Sequence, residues 1–165
     1  MARQLTAEDA RQSLLGHVES KGVELFAHYG STLDRDAMQR LLADRTQVRY
    51  PCEIVFDDGP LQPGEFAHAM QNGATPEEGF SMVVHPLFLT RPDLVPALVL
   101  YHLVTVNYGD FASSDEAETF GAAALGLTRD EYYALLCDCS DQVGGEPDTK
   151  PESGGECGGG SCSCH

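Results

Sequence analysis

The segment from Leu94 to Val106 contains no charged residue and is apolar on nearly every side. A helix of that kind is stable only at the centre of a fold, where other elements cover it all round. Pro96 and His102 interrupt the run, and it is shorter than the ~20 residues that span a bilayer. It therefore reads as a core helix, and the rest of the chain has to supply its cover.

The flanking sequence does so in two hydrophobic periods. Thr6-x-x-Asp9 is a capping-box-like start, and Ala10, Leu14, Val18, Leu25 and Tyr29 follow at helical spacing. A first helix is predicted over 7–28, ended by Gly30. Thr32 is placed to cap a second, with Leu33, Ala37, Leu41 and Leu42 inward. The period then changes to two: Val48, Tyr50, Cys52, Ile54 and Phe56 alternate with mostly polar neighbours, the pattern of a half-buried strand. Asp57-Asp58-Gly59-Pro60 is turn chemistry. A second strand is expected over 65–70 and a third at Phe80, Met82 and Val84.

Thr90-x-x-Asp93, with Pro92, is the expected start of the apolar helix. Ser113-x-x-Glu116 opens another, with Ala117, Phe120 and Ala124 inward. Thr128-x-x-Glu131 opens the last, facing inward through Tyr132, Leu135, Leu136 and Cys139. The expected fold is α+β: two N-terminal helices, a small, mainly antiparallel three-stranded sheet, a buried central helix and two further helices, forming one domain over 1–143. Residues 144–165 contain no Val, Ile, Leu, Met or aromatic residue. A segment that cannot bury apolar surface is expected to be a flexible Gly/Cys-rich tail.

Charge narrows the partners. The formal net charge is −16. Residues 1–50 are neutral in sum, and the whole excess lies in 51–165, where Arg91, Arg129 and Lys150 are the only bases. Such a surface repels phosphate backbones and anionic lipid headgroups, which argues against nucleic-acid and membrane partners, while it attracts cations. The neutral first 50 residues are the expected surface for a protein partner. The N-terminus shows no apolar signal-peptide region, so a cytoplasmic location is expected. There the six cysteines read as thiols or metal ligands before disulfides.

Three of those cysteines and a histidine crowd into the last nine residues: Cys157, Cys162, Cys164 and His165. Thiolate and imidazole donors suit soft or borderline transition metals such as Cu, Zn or Ni. The intervening glycines let the chain turn tightly round an ion. Cys137 and Cys139, near the end of the last helix, are further candidate ligands because the linker is long enough to fold back. The spacing matches no standard structural zinc pattern, although a Cys-x-Cys pair accepts Cu(I).

Two resemblances add readings. Cys157-Gly158 followed by Ser161-Cys162-Ser163-Cys164 and one final residue resembles the core of a methanobactin precursor, a ribosomal peptide modified at cysteines to bind copper. Gly154-Gly155 resembles a double-glycine leader-cleavage site. Separately, Phe80 to Phe88, then Leu98-Val-Leu-Tyr-His102-Leu-Val-Thr-Val106, then the helix from Glu116, resembles the layout of gluzincin-type zinc metallopeptidases. That resemblance implies His102 as a first zinc ligand and Glu116 or Glu118 as a third. Leu103 stands where the general base belongs and Val106 where the second His belongs, and one imidazole without a base does not run that hydrolysis.

Read from its own surroundings, His102 is a core histidine with one ring nitrogen bonded to an acceptor. A cluster of His68, His85 and His102 forms if their elements meet. His17 and His28 are expected in solvent, and Cys52 in the core. The leading expectation is a non-enzymatic metal-binding or metal-delivery accessory protein acting through its Cys/His tail. The alternatives are a ribosomal-peptide precursor with its core after Gly155, and a zincin-like metal-dependent hydrolase with an unorthodox site.

Overall fold

The structure is a computed structural model that describes residues 4–144. Five helices and three strands appear in it: α1 Ala7–Tyr29, α2 Arg35–Ala43, β1 Cys52–Phe56, β2 Ala67–Gln71, β3 Phe80–Val84, α3 Val95–Tyr108, α4 Ser114–Leu125 and α5 Arg129–Gly144. The class is α+β, as the periods indicate. The Gly/Cys-rich tail lies outside the described residues.

The capping boxes are those the sequence shows. Thr6 Oγ1 accepts from Asp9 N at 3.1 Å while an Asp9 carboxylate oxygen accepts from Thr6 N at 3.0 Å. Ser113 with Glu116 and Thr128 with Glu131 make the same reciprocal pair at α4 and α5. Each satisfies backbone donors that a helix start leaves open. Two starts differ from expectation. Asp34, not Thr32, caps α2, because its carboxylate reaches Ala37 N at 2.8 Å. α3 begins at Val95 with Pro96 in its first turn, not at Thr90. Residues Pro86–Thr90 form a 3-10 turn instead, and both carboxylate oxygens of Asp93 are held by Arg91 at 3.2 and 3.1 Å, so Asp93 does not cap.

The sheet order is β1-β3-β2. β2 and β3 form an antiparallel hairpin, but β1 pairs with β3 in parallel, Cys52 opposite Phe80 through Phe56 opposite Val84. The mainly antiparallel expectation thus holds for one ladder of two, and the sheet is mixed. The first strand is also shorter than its alternation suggests. The Arg45 guanidinium donates to the carbonyls of Leu42, Val48 and Tyr50, which ties the 48–50 backbone to the end of α2 rather than to a strand.

α3 is the buried centre: Val95 to Leu100, Leu103, Val104 and Val106 are all inside. It packs on β2, β3 and α4, while α1 lies mainly on α4. α1 comes close because Gly22 carries no side chain. A Cβ there would stand 2.7 Å from both Phe120 O and Ala123 Cβ. The expected inward stripe of α1 is buried at Val18 and Leu25, but Ala10 is exposed. Tyr132 fixes α5 to the centre. Its ring fills the space left by Gly121 on α4, and its hydroxyl donates to Ala97 O on α3 at 2.6 Å. One apolar cluster runs from Val18 to Cys139. Among the described residues no helix is long and apolar enough to cross a membrane.

Candidate functional site

The four tail donors, Cys157, Cys162, Cys164 and His165, lie outside the described residues. Cys137 and Cys139 lie on α5, where two residues advance the helix by about 200°, so their side chains leave on different sides. Cys139 is fully buried in the apolar cluster and Cys137 is half-buried. Burial pushes the Cys139 thiol up to about 11, with the neighbouring Asp138 acting in the same direction. A thiol held protonated is a poor ligand. Cys52 is half-buried behind β1, and burial pushes its thiol up to about 11 as well.

The histidines divide in part as expected. His17 and His28 are exposed, resting edge-on against Tyr108 and Tyr29. His85 Nδ1 accepts from Leu87 N at 3.2 Å, which commits that ring to capping the 3-10 turn. His68 on β2 and His102 on α3 do meet, with ring centroids 6.3 Å apart and planes at 65°. The structure brings together two members of the expected trio.

His102 is not the satisfied core histidine that its apolar helix suggests. It is half-buried, and the rings of Phe66 and Tyr101 lie 5.8 and 5.1 Å from its own. Neither ring nitrogen has a hydrogen-bond partner among the described residues, and none of their side-chain polar atoms is fully buried without one. The His102 nitrogens therefore keep a path to solvent. Burial, with a smaller contribution from His68, pushes this imidazole down to about 4. It is a neutral ring at ordinary pH, the form that ligates metals.

Glu65 is the residue sequence reasoning missed. One of its carboxylate oxygens stands 3.4 Å from His68 Nδ1. Read as part of a strand over 65–70, Glu65 and His68 fall on opposite faces. The strand begins only at Ala67, and Glu65 sits in a turn closed by its own N–H on Gln62 O at 3.0 Å; one carboxylate oxygen accepts from Gln62 N at 2.9 Å, which leaves the other beside the ring. The Glu-x-x-His spacing was a visible but unspecific signal. The turn also meets α5: Ser140 Oγ donates to Gly64 O at 2.9 Å, and Gly144 packs against Gly64.

The two carboxylates of the metallopeptidase comparison are engaged elsewhere. Buried Glu116 closes the capping box with Ser113, whose N–H and hydroxyl hold its carboxyl below the usual range against the opposing effect of burial. Glu118 accepts from Arg129 at 3.1 and 3.0 Å. Among the described residues no group of three or more His, Cys, Asp or Glu is gathered to hold an ion.

A separate groove of about 730 Å³ runs between α2, the edge strand β1 and the start of α3. Leu33, Met38, Leu42, Ile54, Phe56 and Phe88 supply its apolar walls, with Arg35 and Glu53 also on its lining. Compared with protein families, with curated protein sequences and with solved structures, the chain matches none.

Proposed function

We propose that this protein binds a soft or borderline transition-metal ion, Cu, Zn or Ni, through Cys157, Cys162, Cys164 and His165, and acts as a metal-delivery accessory rather than an enzyme. The observation that carries the reading is the density of soft donors: three thiols and one imidazole within nine residues, separated by glycine and serine. Thiols kept in such a segment oxidise unless an ion or a modification protects them. The acidic body supports the reading by raising the local concentration of cations.

Delivery requires a protein partner. The groove between α2, β1 and the start of α3 supports docking there, because its apolar walls gain by being covered.

The test is intact mass of the full-length protein from its native source, under native and denaturing conditions, with elemental analysis. Retained metal that disappears on combined Cys157→Ser, Cys162→Ser, Cys164→Ser and His165→Ala substitution is the expected result. Metal content unchanged by those substitutions refutes the reading. A chain cut after Gly155, or mass changes confined to the cysteines, favours the peptide-precursor alternative instead.

A further inference from the structure

The imidazole pair described above has no role in the tail's chemistry. It consists of one exposed ring, His68, and one half-buried ring, His102, from an edge strand and the central helix. With metal–nitrogen bonds of about 2.0–2.1 Å, an ion shared by two imidazoles puts the ring centroids roughly 5–6.5 Å apart. The 6.3 Å separation lies at the wide end of that range, about 1 Å beyond what two positions of a tetrahedral ion require. The exposed His68 is free to close the remaining distance by side-chain rotation, at a cost small beside two metal–nitrogen bonds.

Two further observations separate this pair from an accidental ring contact. First, Glu65 stands at His68 Nδ1. One Glu65 carboxylate oxygen lies 3.4 Å from that nitrogen, an ion-pair distance, while the other accepts from Gln62 N at 2.9 Å. A small rotation of the exposed His68 ring brings Nδ1 within hydrogen-bond reach, and a carboxylate so placed fixes the tautomer and leaves Nε2 free to ligate, the arrangement seen behind metal-ligating histidines. Second, His102 has no hydrogen-bond partner among the described residues yet keeps contact with solvent. A half-buried imidazole placed only for packing gains nothing from that, whereas a ligand needs a free nitrogen. Phe66 and Tyr101 crowd the His102 ring and hold its direction.

We infer that His68 and His102 together ligate a divalent transition-metal ion that favours imidazole, Zn(II), Cu(II) or Ni(II), with Glu65 as a positioning residue for His68. The pair supplies two ligands, so the remaining coordination positions are open to solvent or to donors brought by another segment. This deepens the metal-binding reading, on which it rests for the class of ion, and places a second station on the folded part of the chain.

The test uses the full-length chain with and without the four tail substitutions, and Zn(II) and Cu(II) as probes. Native mass spectrometry counts bound Zn(II). Electron paramagnetic resonance of the Cu(II) form of the tail-substituted chain counts coordinating nitrogens. We expect that chain to bind one ion, with two-nitrogen superhyperfine structure that drops to one nitrogen, at weaker affinity, in His68→Ala. Glu65→Gln should weaken binding by roughly 10–100-fold without changing the nitrogen count, which a merely structural role would not do. His68 is exposed, so its substitution leaves the fold intact even if His102→Gln does not.

A tail-substituted chain that binds no ion, or that binds equally well as His68→Ala, overturns the inference. Failure of the tail reading looks different: wild type and tail-substituted chains then bind the same single ion, and His68→Ala weakens it equally in both.

Discussion

Gly16 and Gly22 lie on the same helix, and replacing each by alanine should move stability in opposite directions. Within a helix, glycine costs about 1 kcal/mol relative to alanine, through backbone entropy. A Cβ at Gly16 meets nothing within 4 Å, so Gly16→Ala should recover most of that amount. A Cβ at Gly22 would stand 2.7 Å from Phe120 O, 2.7 Å from Ala123 Cβ and 3.1 Å from Ala124 N, all on α4. Comfortable carbon contacts are about 3.5–4.0 Å, so α4 must withdraw by several tenths of an ångström. Two of the three obstructing atoms are backbone, which no rotamer change can move aside.

Overpacking of this kind costs about 1–3 kcal/mol. Less the propensity gain, Gly22→Ala should lose up to about 2 kcal/mol, and the two variants should differ by the overpacking cost, about 1–3 kcal/mol. For a chain of this size that is a gap of roughly 2–12 °C in melting temperature. Chemical and thermal denaturation followed by far-ultraviolet circular dichroism measures both. Equal stabilities for the two variants, or a Gly22→Ala protein more stable than wild type, would refute the close approach of α1 and α4.

Tyr132→Phe removes the buried hydroxyl that donates to Ala97 O at 2.6 Å and should cost about 1–2 kcal/mol, read from the urea midpoint. In metal-free protein, His102 takes its proton only near pH 4, whereas an unfolded chain takes it near the ordinary value of 6.5. Between those values the unfolded state holds more protons, so stability falls as pH drops through the window. The loss is about 2–3 kcal/mol after allowing for the ring's solvent contact. His102→Gln should lose this component, and identical pH slopes for the two proteins would argue against it. Cys52 and Cys139, both pushed up to about 11, should resist iodoacetamide near pH 8 in the native state and react once the chain is unfolded, as peptide mapping will show. Asp34→Ala should cost about 1 kcal/mol and Thr32→Ala almost nothing, which separates the cap that forms from the one the spacing suggested.

Much of the secondary structure was legible because its causes are local. The Thr6, Ser113 and Thr128 boxes read correctly, since a capping box lies within four consecutive residues. The misreadings have local rivals. Thr32 and Asp34 are both good caps, and the carboxylate at Asp34 wins by reaching Ala37 N. Val48 and Tyr50 continue the alternation of β1, but the Arg45 guanidinium takes their carbonyls. The candidate site was legible only in part. The thiol cluster of the tail is a matter of composition, whereas the meeting of His68 with His102 joins residues far apart in the chain. The Glu65 partnership depended on where β2 begins.

By itself, then, the sequence determined the order and kinds of the elements, the burial of the helix at Leu94 to Val106 and the concentration of soft donors at its end. These follow from side-chain periodicity, capping chemistry and composition, which act over a few residues. Tertiary structure decided that β1 runs parallel to β3, that Gly22 and Gly121 are the close-approach points, and that His102 keeps open nitrogens beside His68. Those outcomes depend on which surfaces fill one another's gaps across the whole chain, and no short-range pattern carries that information.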